Sequence, residues 1–196
     1  MANQNGKKYG FTALFPIKRG PHAAELRRHL RSLDSNPNGS PLSETRVIHM
    51  ARFAIIDQLA YQGLPAKRES LVSSYLLFLC EFDGESPDVL VRELIDKIPA
   101  ETTEVWQHCV AFPGIESSDR VAAYFEQCQL ETNLFLADRP DDRLDDILRA
   151  LKYKQEFAEL ILWLQRASPA PADLKQRFRE LWDSIEKADA PHPGSL

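Results

Sequence analysis

The chain of 196 residues is 43% hydrophobic and 27% charged, which is the composition of an ordinary globular protein and excludes the disordered and fibrous classes. Its formal net charge of -5 disfavours nucleic acid as a partner, because nucleic-acid recognition depends on clustered positive charge. No apolar run approaches the roughly 20 residues of a membrane-spanning helix, and no signal-peptide-like stretch follows the first lysines, so we expect a cytoplasmic protein with no membrane partner.

The cysteines, Cys80, Cys109 and Cys128, are odd in number and widely spaced, without a C-x-x-C pair. In a reducing cytoplasm this pattern predicts three free thiols rather than a disulfide framework or a zinc site. Cys80 lies in an apolar run, which predicts a small buried side chain.

The first half of the chain predicts three strands and one helix. Residues 9–16 are rich in aromatic side chains and end at Pro16, whereas Leu26 and Leu30 recur at helical spacing. The strands 46–56 and 71–82 are apolar on both faces, so both faces of the sheet should be covered. The predicted order is a polar segment that frays (1–7), strand 9–16, helix 21–33, loop 34–41, strand 46–56, connection 57–70 and strand 71–82.

The second half is mainly helical. Ser86 and Pro87 are typical of a helix start, and Pro99 is expected to end that helix. The predicted order is helix 86–98, helix 103–110, helix 118–128, strand 132–137, a helix from 141 that ends before 168, helix 174–185 and tail 188–196.

This order predicts an α+β fold of the ferredoxin-like βαββαβ type, with a four-stranded antiparallel sheet and extra C-terminal helices. Residues 8–140 would form the α+β domain, 141–187 a helical extension and 188–196 a disordered tail. The two main helices would cover one face of the sheet, which leaves the other face to the C-terminal helices or to a second copy of the chain. We expect a homodimer, with the C-terminal helices wrapping the partner or the sheet edge.

Four stretches carry a family resemblance: FTALFPIKRG at 11–20, VIHMARF at 47–53, CEFDG at 80–84 and WQHCVAFPG at 106–114. They resemble a bacterial group of the dimeric α+β-barrel superfamily, in which two ferredoxin-like sheets face each other around a pocket. The resemblance covers roughly residues 9–150 and implies a homodimer that binds a small molecule, with relatives linked to peroxidase- or catalase-like enzymes. The chain lacks the GxxDG stretch of dye-decolorising peroxidases, which weighs against direct transfer of peroxidase chemistry.

His108 follows Trp106 closely and precedes a Pro–Gly turn. An imidazole at this place suits a haem axial ligand or a general base, and the structural alternative is a hydrogen bond that fixes the turn. Haem is therefore the cofactor that the sequence raises, and whether the protein is an enzyme stays open.

Two further polar candidates lie on the second predicted strand. Strand alternation puts His49 and Arg52 on opposite faces, so one of them would be a polar group in an apolar pocket lining. The alternatives are an intersubunit salt bridge, for example with Glu81, and a position near the sheet edge that reaches water. The predicted pocket residues are His49, Arg52, Tyr75, Trp106 and His108.

No metal site is predicted, since the aspartates between 138 and 146 lack the spacing of a calcium loop and fit an acidic helix start. The apolar stripe of the last helix suits a dimer contact or docking on a partner enzyme. The leading functional expectation is a homodimeric small-molecule-binding protein that serves an oxidative or biosynthetic pathway. The alternatives are a non-enzymatic accessory module that uses the C-terminal helices, and a haem enzyme with His108 as axial ligand.

Overall fold

The computed structural model describes residues 3–34, 36, 38–59, 61, 63–65, 71–187 and 189–195. The residues outside this description are 1–2 of the segment predicted to fray, 35 and 37 of the predicted loop, 60, 62 and 66–70 of the predicted connection, and 188 and 196 of the predicted tail. The elements are β1 (Gln4–Asn5), β2 (Lys8–Pro16), α1 (His22–Ser32), a 3-10 helix (Pro41–Glu44), β3 (Ile48–Ile56), β4 (Tyr75–Asp83), α2 (Pro87–Lys97), α3 (Pro99–Trp106), α4 (Ser118–Cys128), α5 (Leu144–Ala167) and α6 (Pro171–Lys187).

The sheet is antiparallel throughout, with the strand order β1-β2-β4-β3. The inner strands β2 and β4 pair along their whole length, from Lys8 opposite Asp83 to Pro16 opposite Tyr75. The predicted α+β class with a four-stranded antiparallel sheet is confirmed. The three long strands lie within a few residues of their predicted bounds, because each carries a continuous apolar pattern of strand length.

The fourth strand is not the one that the sequence predicts. Residues 132–137 form no strand, and β1, within the segment predicted to fray, takes the fourth position. Since β1 occupies part of the outer edge of β2, the chain after α4 pairs there through a single bridge, between Ala13 and Gln129. Farther along this segment, the side chain of Phe135 packs on β2. A Cβ atom added to Gly10 would lie 2.6 Å from the Phe135 ring.

One face of the sheet packs against helices α1 to α4 and forms the core. Alternate side chains of β2 and β4 point into this core and are buried, as a period of two requires. Trp106 is 1% exposed, and its ring centroid lies 5.1 Å from Phe125 and 5.4 Å from Phe78. The largest side chain of the core therefore lies between the sheet and the helices.

Pro99 separates α2 from α3. The sequence predicts that this proline ends a helix, and it also begins the next one, at the first helical position. Proline is favoured there because its missing N–H has no partner within the helix in any case. The helix predicted at 103–110 accordingly lies at Pro99–Trp106.

We give the name open face to one part of the opposite sheet face. It consists of Leu14 of β2; Met50, Arg52, Ala54 and Ile56 of β3; and Tyr75, Leu77 and Leu79 of β4. The other end of the same side carries Glu81, Asp83 and the buried Lys8. Arg52 and Met50 are exposed, Met50 at 55%, and the other six residues are half-buried. Apart from Arg52, the open face is largely apolar.

A β-bulge brings His49 to the side of the sheet on which Arg52 lies. The pairing of β3 with β4 shifts between Ile48 and Met50, which leaves His49 as the extra residue. The prediction that His49 and Arg52 lie on opposite faces is wrong, because the bulge interrupts the alternation on which it rests. His49 reaches Asp83, and Arg52 pairs with Leu79, on the open side of the sheet.

Helices α5 and α6 pack on each other as a hairpin. At the start of α5, Leu144 and Leu148 are buried against Ala190, whose carbonyl accepts a hydrogen bond from Arg46 at 3.0 Å. The described part of the predicted tail therefore returns to the beginning of α5. Although α5 has 24 residues, no described helix is apolar enough over a sufficient length to cross a membrane.

Candidate functional site

The five predicted pocket residues occupy separate places. Trp106 is buried in the core, and His108 lies on the helix side near the start of α1. Arg52 and Tyr75 belong to the open face, and His49 lies at one end of it. The structure therefore does not bring the five together into one site.

His49 belongs to a polar network that we call the Lys8 cluster: Lys8, His49, Glu81 and Asp83. Lys8 is only 2% exposed, and its Nζ lies 3.0 Å from Nδ1 and 2.9 Å from Nε2 of His49 and 3.6 Å from Oε1 of Glu81. The Nε2 atom of His49 lies 2.8 Å from Oδ1 of Asp83. The tautomer that satisfies both neighbours donates Nε2–H to Asp83 and offers the Nδ1 lone pair to Lys8.

Asp83 connects this cluster to α5. Its Oδ2 accepts a hydrogen bond from the backbone N–H of Leu144, the first residue of α5, at 2.7 Å. Burial alone would raise the pKa of Asp83, but the hydrogen bonds from His49 and Leu144 and the charges of His49 and Lys8 lower it below its ordinary value. A buried ion network of this kind is costly unless each charge is paired, and here each is paired. The Lys8 cluster thus has the properties of a structural link between the sheet and α5.

A second polar group, which we call the histidine cluster, consists of His22, Glu25 and His108. The backbone positions it: beyond β2, Lys18 donates its N–H to the carbonyl of His108 at 2.9 Å, and Ile17 forms a bridge with Cys109. Helix α1 begins soon afterwards at His22, so its first turn lies beside the turn that follows α3.

The three side chains of the histidine cluster converge. The Nδ1 atoms of His22 and His108 lie 3.1 Å apart, and Oε2 of Glu25 lies 3.9 Å from the former and 3.8 Å from the latter. Glu25 lies beside His22 because residues three apart share a helix face. Burial and the neighbouring charge of His22 lower the pKa of His108 against the opposing effect of Glu25. His108 is therefore neutral at neutral pH and offers a lone pair.

These surroundings bear on the haem expected at His108. The described polar neighbours of its Nδ1 are another imidazole and a carboxylate, a set that suits a small cation. Haem at His108 stays a prediction from the sequence.

Several of these residues are not singled out by the sequence analysis. A signal existed for part of the histidine cluster, since His22 and Glu25 lie three positions apart and therefore on one face of α1. No sequence signal marks Lys8, because its burial depends on His49 and on residues of a third strand that are distant in the chain.

The three cysteines are free, as predicted, and Cys80 and Cys109 are buried. Burial raises the pKa of the Cys109 thiol to about 12, so the nucleophilic thiolate is scarce at neutral pH. Neither buried cysteine therefore has the properties of a catalytic nucleophile.

A groove of about 700 Å³ lies at the outer edge of β2. Its lining includes Leu14, Val110, Tyr124 and Leu130, with Arg120 and Gln127 as polar members. Leu14 lines this groove and also belongs to the open face.

No protein-family model, no curated protein and no solved structure matches this chain in the comparisons made. The resemblance to the dimeric α+β barrels therefore rests on the quoted sequence stretches. What that resemblance implies for function is a proposal.

Proposed function

We propose that the protein is a homodimer that binds a small apolar molecule with an acidic group between the open faces of two copies. The observation that carries the proposal is the open face: its apolar surface extends over three strands, and its eight residues are exposed or half-buried in the single chain. Contiguous exposed apolar surface is typical of interaction and ligand sites. The guanidinium of Arg52 lies within this surface and suits a carboxylate or sulfonate group.

The order of elements supports a ferredoxin-like interpretation. The segment from β2 to α2 runs strand, helix, strand, strand, helix, and β2 neighbours β4 while β3 lies outside, as in a split βαβ unit. At the outer edge of β2, the place of the fourth strand is taken by β1 and by the bridge at Gln129. Two such sheets that meet through their open faces would form the dimeric barrel that the sequence resembles.

The size of the open face indicates that the C-terminal hairpin takes part in the dimer. The whole face of three nine-residue strands measures about 30 by 14 Å, or roughly 400 Å² per copy, and the open face is only part of it. Stable interfaces bury about 800 Å² per partner, so the sheet alone supplies at most half. Helices α5 and α6 offer the remainder through exposed apolar side chains: Leu151, Phe157, Leu162, Phe178 and Trp182.

The oligomeric part of the proposal is tested by light scattering coupled to size exclusion. We expect the mass of two chains for the wild type and of one chain for Leu77→Lys, because an ammonium buried at the interface beside Arg52 has no negative partner and costs several kcal/mol. Val72→Lys is the matched control, since Val72 is 84% exposed and lies outside the open face. A wild type that stays a monomer over a range of concentrations would overturn the dimer.

The ligand part is tested with anilinonaphthalene sulfonate, a fluorescent apolar molecule with an acidic group. We expect the wild-type dimer to bind it saturably and Arg52→Ala to weaken binding about tenfold or more, because the sulfonate loses its charged partner. Arg92→Ala, on the exposed side of α2, should bind as the wild type does. If Arg52→Ala instead dissociates the dimer, Arg52 forms the intersubunit salt bridge, and the ligand assignment is wrong.

Docking of a different protein on the C-terminal hairpin is the second candidate function. One observation favours it: the rings of Phe178 and Trp182 stack with centroids 6.4 Å apart and are 45% and 54% exposed. An exposed aromatic pair on one helix face is typical of helix-in-groove docking. A dimer that survives Trp182→Ala would leave this pair free for such a partner, whereas loss of the dimer would assign the pair to self-association.

A further inference from the structure

The histidine cluster has the composition of a metal site. We propose that His22, Glu25 and His108 bind a divalent transition-metal ion, such as zinc, through two imidazole nitrogens and one carboxylate oxygen. The three donor atoms all lie within 4.8 Å of one another. Two histidines and a carboxylate are a common ligand set for zinc and related ions, with water in the remaining position.

The spacing of the three atoms fits bonds to one ion. The sides of the triangle that they form measure 3.1, 3.8 and 3.9 Å. One point of such a triangle lies about 2.1 Å from all three corners, and zinc bonds to histidine nitrogen and carboxylate oxygen measure about 2.0–2.2 Å. Only small movements of the side chains would complete the site.

The approach of the two rings supports a shared cation. Nδ1 atoms that face each other at 3.1 Å satisfy each other only when one ring donates its N–H and the other accepts it, and two protonated rings would repel. An ion between the rings accepts both lone pairs and lets each ring keep its proton on Nε2. A metal ion at this place would therefore pair with the Nδ1 atoms of both His22 and His108.

Partial exposure of the cluster lets a cation reach it from solvent. Glu25 acts on His108 as a negative charge and Lys18 as a positive one. Glu104 pairs instead with His29, on the same helix as Glu25, at 3.2 Å. His108 has 12% of its side chain exposed, and Glu25 has 43%. His108 is thus held by its surroundings, while the carboxylate of Glu25 stays accessible to water.

The histidine cluster and the proposed ligand surface lie on opposite sides of the sheet. Metal binding rests on α1 and the turn after α3, whereas the proposed dimer rests on the open face. Each proposal can therefore fail alone, and zinc binding by a monomer would leave this inference intact.

Calorimetric titration of the full-length protein with Zn²⁺, after a chelator has removed bound metal, tests the proposal. We expect one site per chain and a loss of affinity of at least about a hundredfold in His22→Ala and in His108→Ala. Glu25→Gln, which preserves the shape of the side chain, should weaken binding about tenfold. His192→Ala removes a histidine outside the cluster, one that pairs with Glu44, and should bind zinc as the wild type does.

The visible absorption of bound Co²⁺ gives a second measurement that depends on the ligands themselves. Circular dichroism without metal shows which variants fold. If a histidine variant does not fold, Glu25→Gln still tests the proposal, because Glu25 is half-exposed. A wild type that takes up neither ion would overturn the proposal. So would equal losses of affinity in His192→Ala and His108→Ala.

Discussion

Asp83 accepts a hydrogen bond from the backbone N–H of Leu144 at 2.7 Å, although 61 positions separate the two residues. Its other carboxylate oxygen lies 2.8 Å from Nε2 of His49. One side chain thereby joins β4, the bulge of β3 and the N-terminus of α5, where a negative charge also complements the helix dipole. The first turn of α5 should therefore depend on Asp83.

We expect Asp83→Asn to lower the free energy of unfolding by about 1–3 kcal/mol, because an amide has one accepting oxygen where the carboxylate has two. Asp138→Asn, an exposed position in the loop before α5, should change it by less than about 0.5 kcal/mol. Urea unfolding followed by circular dichroism measures both variants. Equal losses in the two would show that the hydrogen bond to Leu144 contributes nothing specific.

The lowered pKa of Asp83 predicts a loss of stability in acid. Because the carboxyl ionises more readily in the folded state, its contribution is complete above the ordinary value of 3.8 and disappears as the pH falls through the folded pKa. Urea midpoints measured from about pH 6 to about pH 3 should therefore fall more steeply for the wild type than for Asp83→Asn, which has no group to titrate. Parallel curves would contradict the assignment.

Trp106 is expected to act through packing rather than through a ligand. Trp106→Ala should lower the free energy of unfolding by about 3–5 kcal/mol, because it leaves a cavity among aromatic rings. Trp106→Phe should cost clearly less, since a ring remains and the buried Nε1 of Trp106 has no hydrogen-bond partner among the described residues. Urea unfolding of both variants checks this order, and equal costs would show that the indole makes a contact that phenylalanine cannot replace.

The strands could be predicted from the sequence where local pattern alone determines them. The run from Tyr75 to Asp83 is apolar on both faces, so its length and type follow from the residues themselves. The fourth strand depends instead on which segment reaches the free edge of β2. Residues 132–137 form an apolar run of strand length, yet β1 pairs with β2 in their place. The bulge at His49 likewise arises from pairing with β4, so alternation within β3 could not reveal it.

The sequence predicted His108 as a functional candidate but not its neighbours. Its neighbours come from α1, and the contact between His22 and His108 spans 86 positions. The bridge of Ile17 with Cys109 sets that contact, and no local pattern encodes such a bridge. His49 was also a candidate, yet its partner Lys8 becomes visible only once β2, β3 and β4 are assembled.

Trp182 should behave in the opposite way to Trp106. It is 54% exposed on α6, so Trp182→Ala should change the free energy of unfolding of one chain by less than about 1 kcal/mol. In the proposed dimer its ring becomes buried, and an aromatic anchor at an interface contributes about 2 kcal/mol or more. Trp182→Ala should therefore weaken self-association at least about thirtyfold.

Sedimentation velocity over a range of concentrations measures the strength of self-association. Leu134→Ala is the control, because Leu134 is 84% exposed but belongs neither to the open face nor to the hairpin. A loss of folding stability as large as that of Trp106→Ala would show instead that Trp182 packs within its own chain, and unchanged self-association would remove α6 from the dimer contact.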